Sequence, residues 1–198
     1  MNVTLYIAIP LGMLCAYLAG SINFAIVSFK LLGKQDPRAH HSGNPGVTNV
    51  FRIAGWPMAI SVLLLDVGRA AGVAFLALRF WPEAWVPWAA FGLLLGNHFP
   101  CFHGFKGGKG VANYLGFCVV TIPLGTALAV AAYGIGFAIS RVPFLGSFGM
   151  VSVLTLFGVL RWHGMWPGLV AIFIIAVMIV WFHRANIAGL LVKRREGN

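Results

Sequence analysis

Long apolar runs alternate with short polar gaps along the whole chain, and the runs have membrane length. A bilayer core takes about 20 apolar residues per helix. Residues 3–29 carry no charge, and the first predicted span extends over 3–32. That run is too long for the core of a secretory signal and has no Lys or Arg before it, so it reads as a retained span. A polar segment at 33–55 separates it from a second span at 56–80. Pro82 and Glu83 make a turn into a third span at 84–99, which ends in a glycine-rich loop at 100–110. The run 111–139 has Pro123 near its middle, so it is either one kinked helix or two short helices turning at Thr121-Ile122-Pro123. Two more spans, 144–160 and 166–182, precede a basic tail that starts at His183.

Of 198 residues 60% are apolar and only 9% charged, with a mean hydropathy of +0.88. Disordered chains are poor in apolar residues, and a soluble globule needs far more charge to cover its surface. An all-α polytopic membrane protein remains, as one membrane-embedded domain over residues 1–198. Net charge is +10, from 14 Lys and Arg against 4 Asp and Glu. Most of the charges sit in the gaps, which fits membrane loops and not a nucleic-acid groove. They also choose between six spans and seven. With seven, Lys34, Arg38, Arg52, Lys106, Lys109, Arg141, Arg184, Lys193, Arg194 and Arg195 all share one face. The other face keeps Arg79, Glu83, Arg161 and His163. The positive-inside rule therefore predicts seven transmembrane helices, N-terminus outside and C-terminus cytoplasmic. Cys15, Cys101 and Cys118 are scattered in apolar stretches and read as small packing residues.

Two loops carry the candidate chemistry. In the first, Ser42-Gly43-Asn44-Pro45-Gly46 is a turn that exposes successive backbone N–H groups, a ready anion-binding nest. Ser42, Asn44, Thr48 and Asn49 add donors, and Arg38 and Arg52 add charge. An ordinary polar membrane loop is the alternative. The second loop, Gly104-Phe105-Lys106-Gly107-Gly108-Lys109-Gly110, resembles a nucleotide phosphate loop but fails as one. His103 and Gly110 stand where that motif needs a glycine and a hydroxyl. Its glycines still let the backbone approach an oxyanion, and a helix beginning near Val111 would favour one. Both loops lie on one face in the seven-span topology and together suggest a site for phosphate-bearing substrates.

Other clusters are less specific. His183-Arg184-Ala185-Asn186 is either a third polar cluster of that site or a stop-transfer flank. Asp66 and Arg69 share one helical face inside a span. An intramembrane carboxylate is a functional candidate, but the pair could equally neutralise itself or tie down the loops. The histidines lack metal-site spacing, so no metal is implied. Asp36, His40, His41 and Ser42 are close in sequence without offering triad geometry.

At these residues the chain resembles the bacterial acyl-phosphate glycerol-3-phosphate acyltransferases, the PlsY type. The likeness runs through Gly20-Ser21-Ile22, Asp36-x-Arg38, Ser42-Gly43-Asn44-x-Gly46-x-Thr48-Asn49 and Arg52. It continues through Phe99-Pro100-x-Phe102, Phe105-Lys106-Gly107-Gly108-Lys109-Gly110-Val111-Ala112 and His183-x-x-Asn186-Ile187. The resemblance implies a seven-helix enzyme of the bacterial inner membrane with its site at the cytoplasmic surface. It would move a fatty acyl group from acyl phosphate to the sn-1 hydroxyl of glycerol-3-phosphate, using no metal, cofactor or acyl carrier directly. Ser42, Lys109 and His183 would be catalytic. Ser42, Gly43, Asn44, Gly107 and Gly108 would hold acyl phosphate, and Ser42 or loop N–H groups would meet the oxyanion. Arg52, Lys109, His183 and Asn186 would hold glycerol-3-phosphate, and the acyl chain would lie between helices in lipid. A base would come from His183 or from the substrate phosphate. A changed acceptor, loss of catalysis, or transport of a small phosphorylated anion are the other readings.

The chain also departs from the family pattern. Gly96-Asn97-His98-Phe99-Pro100 has its histidine one position later than usual. Arg69 replaces a lysine, Phe144 a serine, and Phe182 and Gly189 arginines, while Lys193-Arg194-Arg195 replaces a closing Gly-x-Glu.

Overall fold

The computed structural model describes residues 3–196, with side chains over residues 7–192. Nine helices are described: α1 Val3–Ser21, α2 Phe24–Leu31, α3 Val47–Phe80, α4 Pro87–His98, α5 Val111–Thr121, α6 Pro123–Ser140, α7 Pro143–Arg161, α8 Trp166–Phe182 and α9 Arg184–Glu196. The side chains of Lys193, Arg194 and Arg195, part of the expected cationic face, lie outside the described ones.

Taken singly, α3, α6 and α7 are long and apolar enough to cross a bilayer. The bent pairs α1 with α2 (41°) and α8 with α9 (45°) pass the same test when each is one span. The first expected span is therefore broken. Asn23 causes the break: its side-chain oxygen accepts from Ile26 N at 3.0 Å and so starts a new helix. The expected loop at 33–55 is also shorter than the pattern suggested, because residues 47–54 are already helical. Val47, Val50, Ile53 and Ala54 recur at helical spacing and pack on Ala25 and Phe29 of α2. Gly55 then kinks α3 at φ 75°, ψ −175°, a conformation that is nearly glycine's alone.

The run with Pro123 forms two helices, as one of the two sequence readings has it. At 11 residues, α5 reaches only about 16 Å of a ~30 Å bilayer core. Its break is shielded within the protein. Ile122 is buried, Thr121 Oγ1 donates to Phe117 O at 3.2 Å, and Thr126 Oγ1 donates to Ile122 O at 3.1 Å.

The centre of the bundle is α4, packed by α1, α3, α5 and α8, with α6 and α7 paired beside them. Leu93 and Leu94 of α4, Leu154 of α7 and Ile175 and Ile179 of α8 are fully buried. The approach of α1 to α4 is backbone to backbone. A Cβ on Gly20 would strike the Leu93 carbonyl, and one on Gly96 the Tyr17 carbonyl. Outward-facing Leu11, Leu64, Phe75, Ile135, Leu156 and Phe173 are exposed, as lipid-facing positions should be.

This packing gathers the polar gaps at two ends. At one end, Tyr17 OH donates to Phe99 O at 2.8 Å, and the start of α7 meets the end of α8, with Phe148 at 5.2 Å from the His183 ring. At the other, Trp162 Nε1 donates to Glu83 O at 2.9 Å and Trp88 Nε1 to Pro167 O at 3.0 Å.

Candidate active site

The two glycine-bearing loops meet at the first of these ends. Asp36 ends the approach to a 3-10 turn at Pro37–Ala39, where its Oδ1 accepts from Arg38 N at 2.8 Å. Its carboxylate also receives Arg38 Nε at 3.0 and 3.1 Å and Nη2 at 2.7 Å. The guanidinium thus held reaches across the gap. Its Nη1 donates to His103 O at 2.7 Å and Lys106 O at 3.0 Å, strapping the first loop to the second. The Arg38 hydrogen bond holds the Asp36 carboxyl below its ordinary range, and Asp36 in turn raises Arg38. Burial, helped by the Arg38 charge, lowers His103.

Buried Asn49 shapes the first loop from inside. Its Nδ2 donates to Pro37 O at 2.9 Å and His40 O at 3.2 Å, and its Oδ1 accepts from Ser42 N at 3.4 Å. Asn23 Nδ2 adds a bond to Pro45 O at 3.3 Å. The turn at Ser42 and Gly43 is left exposed, with Gly43 at φ 66° and Asn44 half-buried beside it. The Ser42 hydroxyl makes no hydrogen bond to another described side chain or backbone group.

The second loop is seated on the end of α4. Gly107 N donates to His98 O at 3.0 Å and Gly108 N to Asn97 O at 2.9 Å. His98 Nδ1 meets Gly108 O at 2.7 Å, so Nδ1 carries the proton. A Cβ on Gly107 would strike the Asn97 carbonyl, which is why the position is glycine. This corrects one expectation. The N–H groups of Gly107 and Gly108 already bond to α4 and are not aimed at an oxyanion. The free donors of this loop lie further on, in the first turn of α5 from Val111, where helix N–H groups lack intrahelical partners.

Lys109 projects from that seat to the third cluster, where its Nζ donates to Asn186 Oδ1. Burial pushes its ammonium down to about 8. His183 is buried between Phe144 and Phe148, and its Nδ1 bonds Ile179 O at 2.8 Å. A carbonyl only accepts, so Nδ1 carries the proton and Nε2 of the neutral ring is an acceptor. Phe182, where the family pattern has arginine, stacks on His98 at 3.5 Å and 14° and joins α8 to α4.

Of the sequence-predicted residues, Lys109, Asn186 and His183 are brought together with Gly107 and Gly108, and Arg38 joins the Ser42 loop to them. Arg52 stays exposed on α3 and makes no ion pair or hydrogen bond among the described residues. Asp66 and Arg69 do pair, at 2.8 Å, with each side chain only 8% exposed. Sequence reading missed Asn97 and Asn113. The signal was present, since an amide inside an apolar run needs a partner. Among the described residues no three His, Cys, Asp or Glu side chains converge.

Comparison with known proteins places this arrangement. The family model described as glycerol-3-phosphate acyltransferase matches residues 10–193. A glycerol-3-phosphate acyltransferase of Pseudomonas paraeruginosa is 40% identical over 186 residues, covering 91% of this chain and 95% of its own. One of Bordetella petrii is 41% identical over 186 residues, covering 89% and 86%. The crystal structure of PlsY, an integral membrane glycerol 3-phosphate acyltransferase, in its glycerol 3-phosphate form superposes with a TM-score of 0.86 at 31% identity. That match covers 94% of both chains, and the lysophosphatidic acid form gives 0.84. With the family model, the relatives and the fold all matching over most of its length, this chain belongs to the glycerol-3-phosphate acyltransferase family of integral membrane proteins.

Proposed function

We propose that this protein transfers a fatty acyl group from acyl phosphate to the sn-1 hydroxyl of glycerol-3-phosphate, releasing lysophosphatidic acid and phosphate. The observation that carries the reading is the meeting of both glycine loops with His183 and Asn186 at one end of the bundle, through Arg38 and Lys109. We place that end at the cytoplasmic surface of a bacterial inner membrane, with seven spans, N-terminus outside and C-terminus inside. The count of cations at that end supports the orientation.

The substrates dictate the rest. Both carry phosphate, so the site must supply donors and cations. Ser42, Gly43 and Asn44, with the surface formed by Gly107 and Gly108, hold the acyl-phosphate head. Arg52, Lys109, His183 and Asn186 hold glycerol-3-phosphate. The sn-1 oxygen attacks the acyl carbon, and the mixed-anhydride C–O bond to phosphate then breaks. Acyl phosphate is already activated, so no acyl-enzyme is needed. The Ser42 hydroxyl donates to the oxyanion. The hydroxyl proton goes to Nε2 of His183 or to the departing phosphate, and the free acceptor on His183 supports the first route.

The test is purified protein with palmitoyl phosphate and glycerol-3-phosphate. Lysophosphatidate should form without added magnesium, and acyl-CoA should not replace the donor. Phosphate release that requires another alcohol would overturn the acceptor. Uptake of glycerol-3-phosphate into proteoliposomes without acyl transfer would overturn the enzyme reading.

A further inference from the structure

The most expensive polar feature of the bundle lies outside the loops. Asp66 and Arg69 of α3 form an ion pair at 2.8 Å with each side chain only 8% exposed. Arg69 Nε has no hydrogen-bond partner among the described residues. A buried pair is weak support for stability, and in a membrane span it is costlier still. Its other contacts show what it does. Arg69 Nη1 donates to Ile22 O, the carbonyl left over where α1 breaks from α2. Arg69 Nη2 donates to Asn113 Oδ1 in the first turn of α5. Asn113 Nδ2 donates to Asn97 Oδ1 on α4 at 3.0 Å, and Asn97 O accepts Gly108 N at 2.9 Å. One continuous chain of bonds therefore runs from the middle of α3, through α5 and α4, to the N–H of Gly108, the residue before Lys109. Asn97 and Asn113 are both buried, and their amides are held in one orientation by this chain.

We infer that Asp66, Arg69, Asn113 and Asn97 are positioning residues that seat residues 107–109 on α4 and so fix where the Lys109 ammonium stands. Asp66 sets the guanidinium and Arg69 fixes the Asn113 carbonyl. Asn113 then orients the Asn97 side chain, which lies against Gly108. None of the four needs to touch substrate. Lysine at position 69 offers three donors for the same three acceptors, Ile22 O, Asp66 and Asn113, whereas methionine offers none.

The experiment reads Lys109 directly. Full-length protein in nanodiscs is labelled with acetic anhydride across a pH series, and the Lys109 peptide is followed by mass spectrometry. The titratable groups that interact with Lys109 are His98 on α4 and His183 at the end of α8, and Arg184 lies beside His98. They are unchanged in every variant used. Wild type should titrate near 8. Asn113→Ala and Arg69→Met should let the loop loosen and hydrate, moving that midpoint upward, and kcat/KM for acyl transfer should fall about tenfold. Arg69→Lys should restore both. Glu83→Gln, at the opposite end, should move neither. An unmoved Lys109 midpoint in Asn113→Ala and Arg69→Met overturns the inference, whatever happens to activity. If Asn113→Ala does not survive purification, the Arg69→Met and Arg69→Lys pair decides alone. The kinetic readout rests on the proposed reaction and the labelling does not. A shifted midpoint in a protein inactive on these substrates would keep the seat and remove the proposed function.

Discussion

The two ends of the bundle solve the same problem differently. Each must satisfy polar groups where helices stop. At the end with Glu83 and Arg161, the solution is a few contacts at the surface. Those two side chains pair while 42% and 43% exposed, and two indole N–H groups cap nearby carbonyls. At the glycine-loop end, buried amides and one strapped guanidinium hold backbone that belongs to no helix. Asn23, Asn49, Asn97 and Asn113 are each at most 3% exposed. The first end closes a fold. The second preorganises exposed turns around a half-buried lysine, which is what a site for anions requires.

The sharpest way to break this contrast is to delete single groups at each end. Ser42→Ala and Lys109→Ala should each lose about a hundredfold or more in acyl transfer while still folding, the scale of losing one transition-state donor. Near-full turnover in both would remove the site assignment. Glu83→Gln and Arg161→Met should stay within about twofold, with a stability change of at most ~1 kcal/mol by thermal unfolding, as for other solvent-exposed pairs.

Glycines sharpen it further. Gly107→Ala puts a methyl into the Asn97 carbonyl and should cost about tenfold in activity by displacing Lys109. Gly164→Ala, at φ 78° with open space around it, should cost roughly 1 kcal/mol of backbone strain and no activity.

The pH dependence is a smaller effect with a definite sign. Lys109 stands at about 8 instead of its ordinary 10.5, so it loses its charge as pH rises through 8. If that charge holds the acceptor phosphate, kcat/KM for glycerol-3-phosphate should fall above pH 8, since this ratio reports the free enzyme. A profile flat to pH 10 would remove Lys109 as the cation. Smallest is the strap. The Asp36 carboxyl is lowered by Arg38, so its contribution is present above the ordinary aspartate value of 3.8 and is lost only as pH falls through the lower folded value. Pepsin cleavage within residues 100–110, normalised to an unstructured peptide at the same pH, should not accelerate until the pH is below 3.8.

Much of this was legible in one dimension, because apolar run length, charge placement and turn chemistry are local properties of a chain in a bilayer. The spans around 56–80, 144–160 and 166–182, the pairing of Asp66 with Arg69, the glycine loops and the helix from Val111 were all readable that way. The family motifs were readable for the same reason, since they are contiguous. Tertiary structure alone decided the rest. Asn23 breaks the first span because its side chain caps a helix and reaches Pro45, a choice an apolar window averages away. Residues 47–54 become helix because α2 offers them an apolar face. The N–H groups of Gly107 and Gly108 point into α4 and not outward, because only the fold brings the Asn97 and His98 carbonyls beneath them. Sequence determined where the long apolar runs lie and which chemistry the gaps carry. The fold determined which polar group answers which, because a buried donor takes the acceptor that packing places within 3 Å, however many residues away it lies.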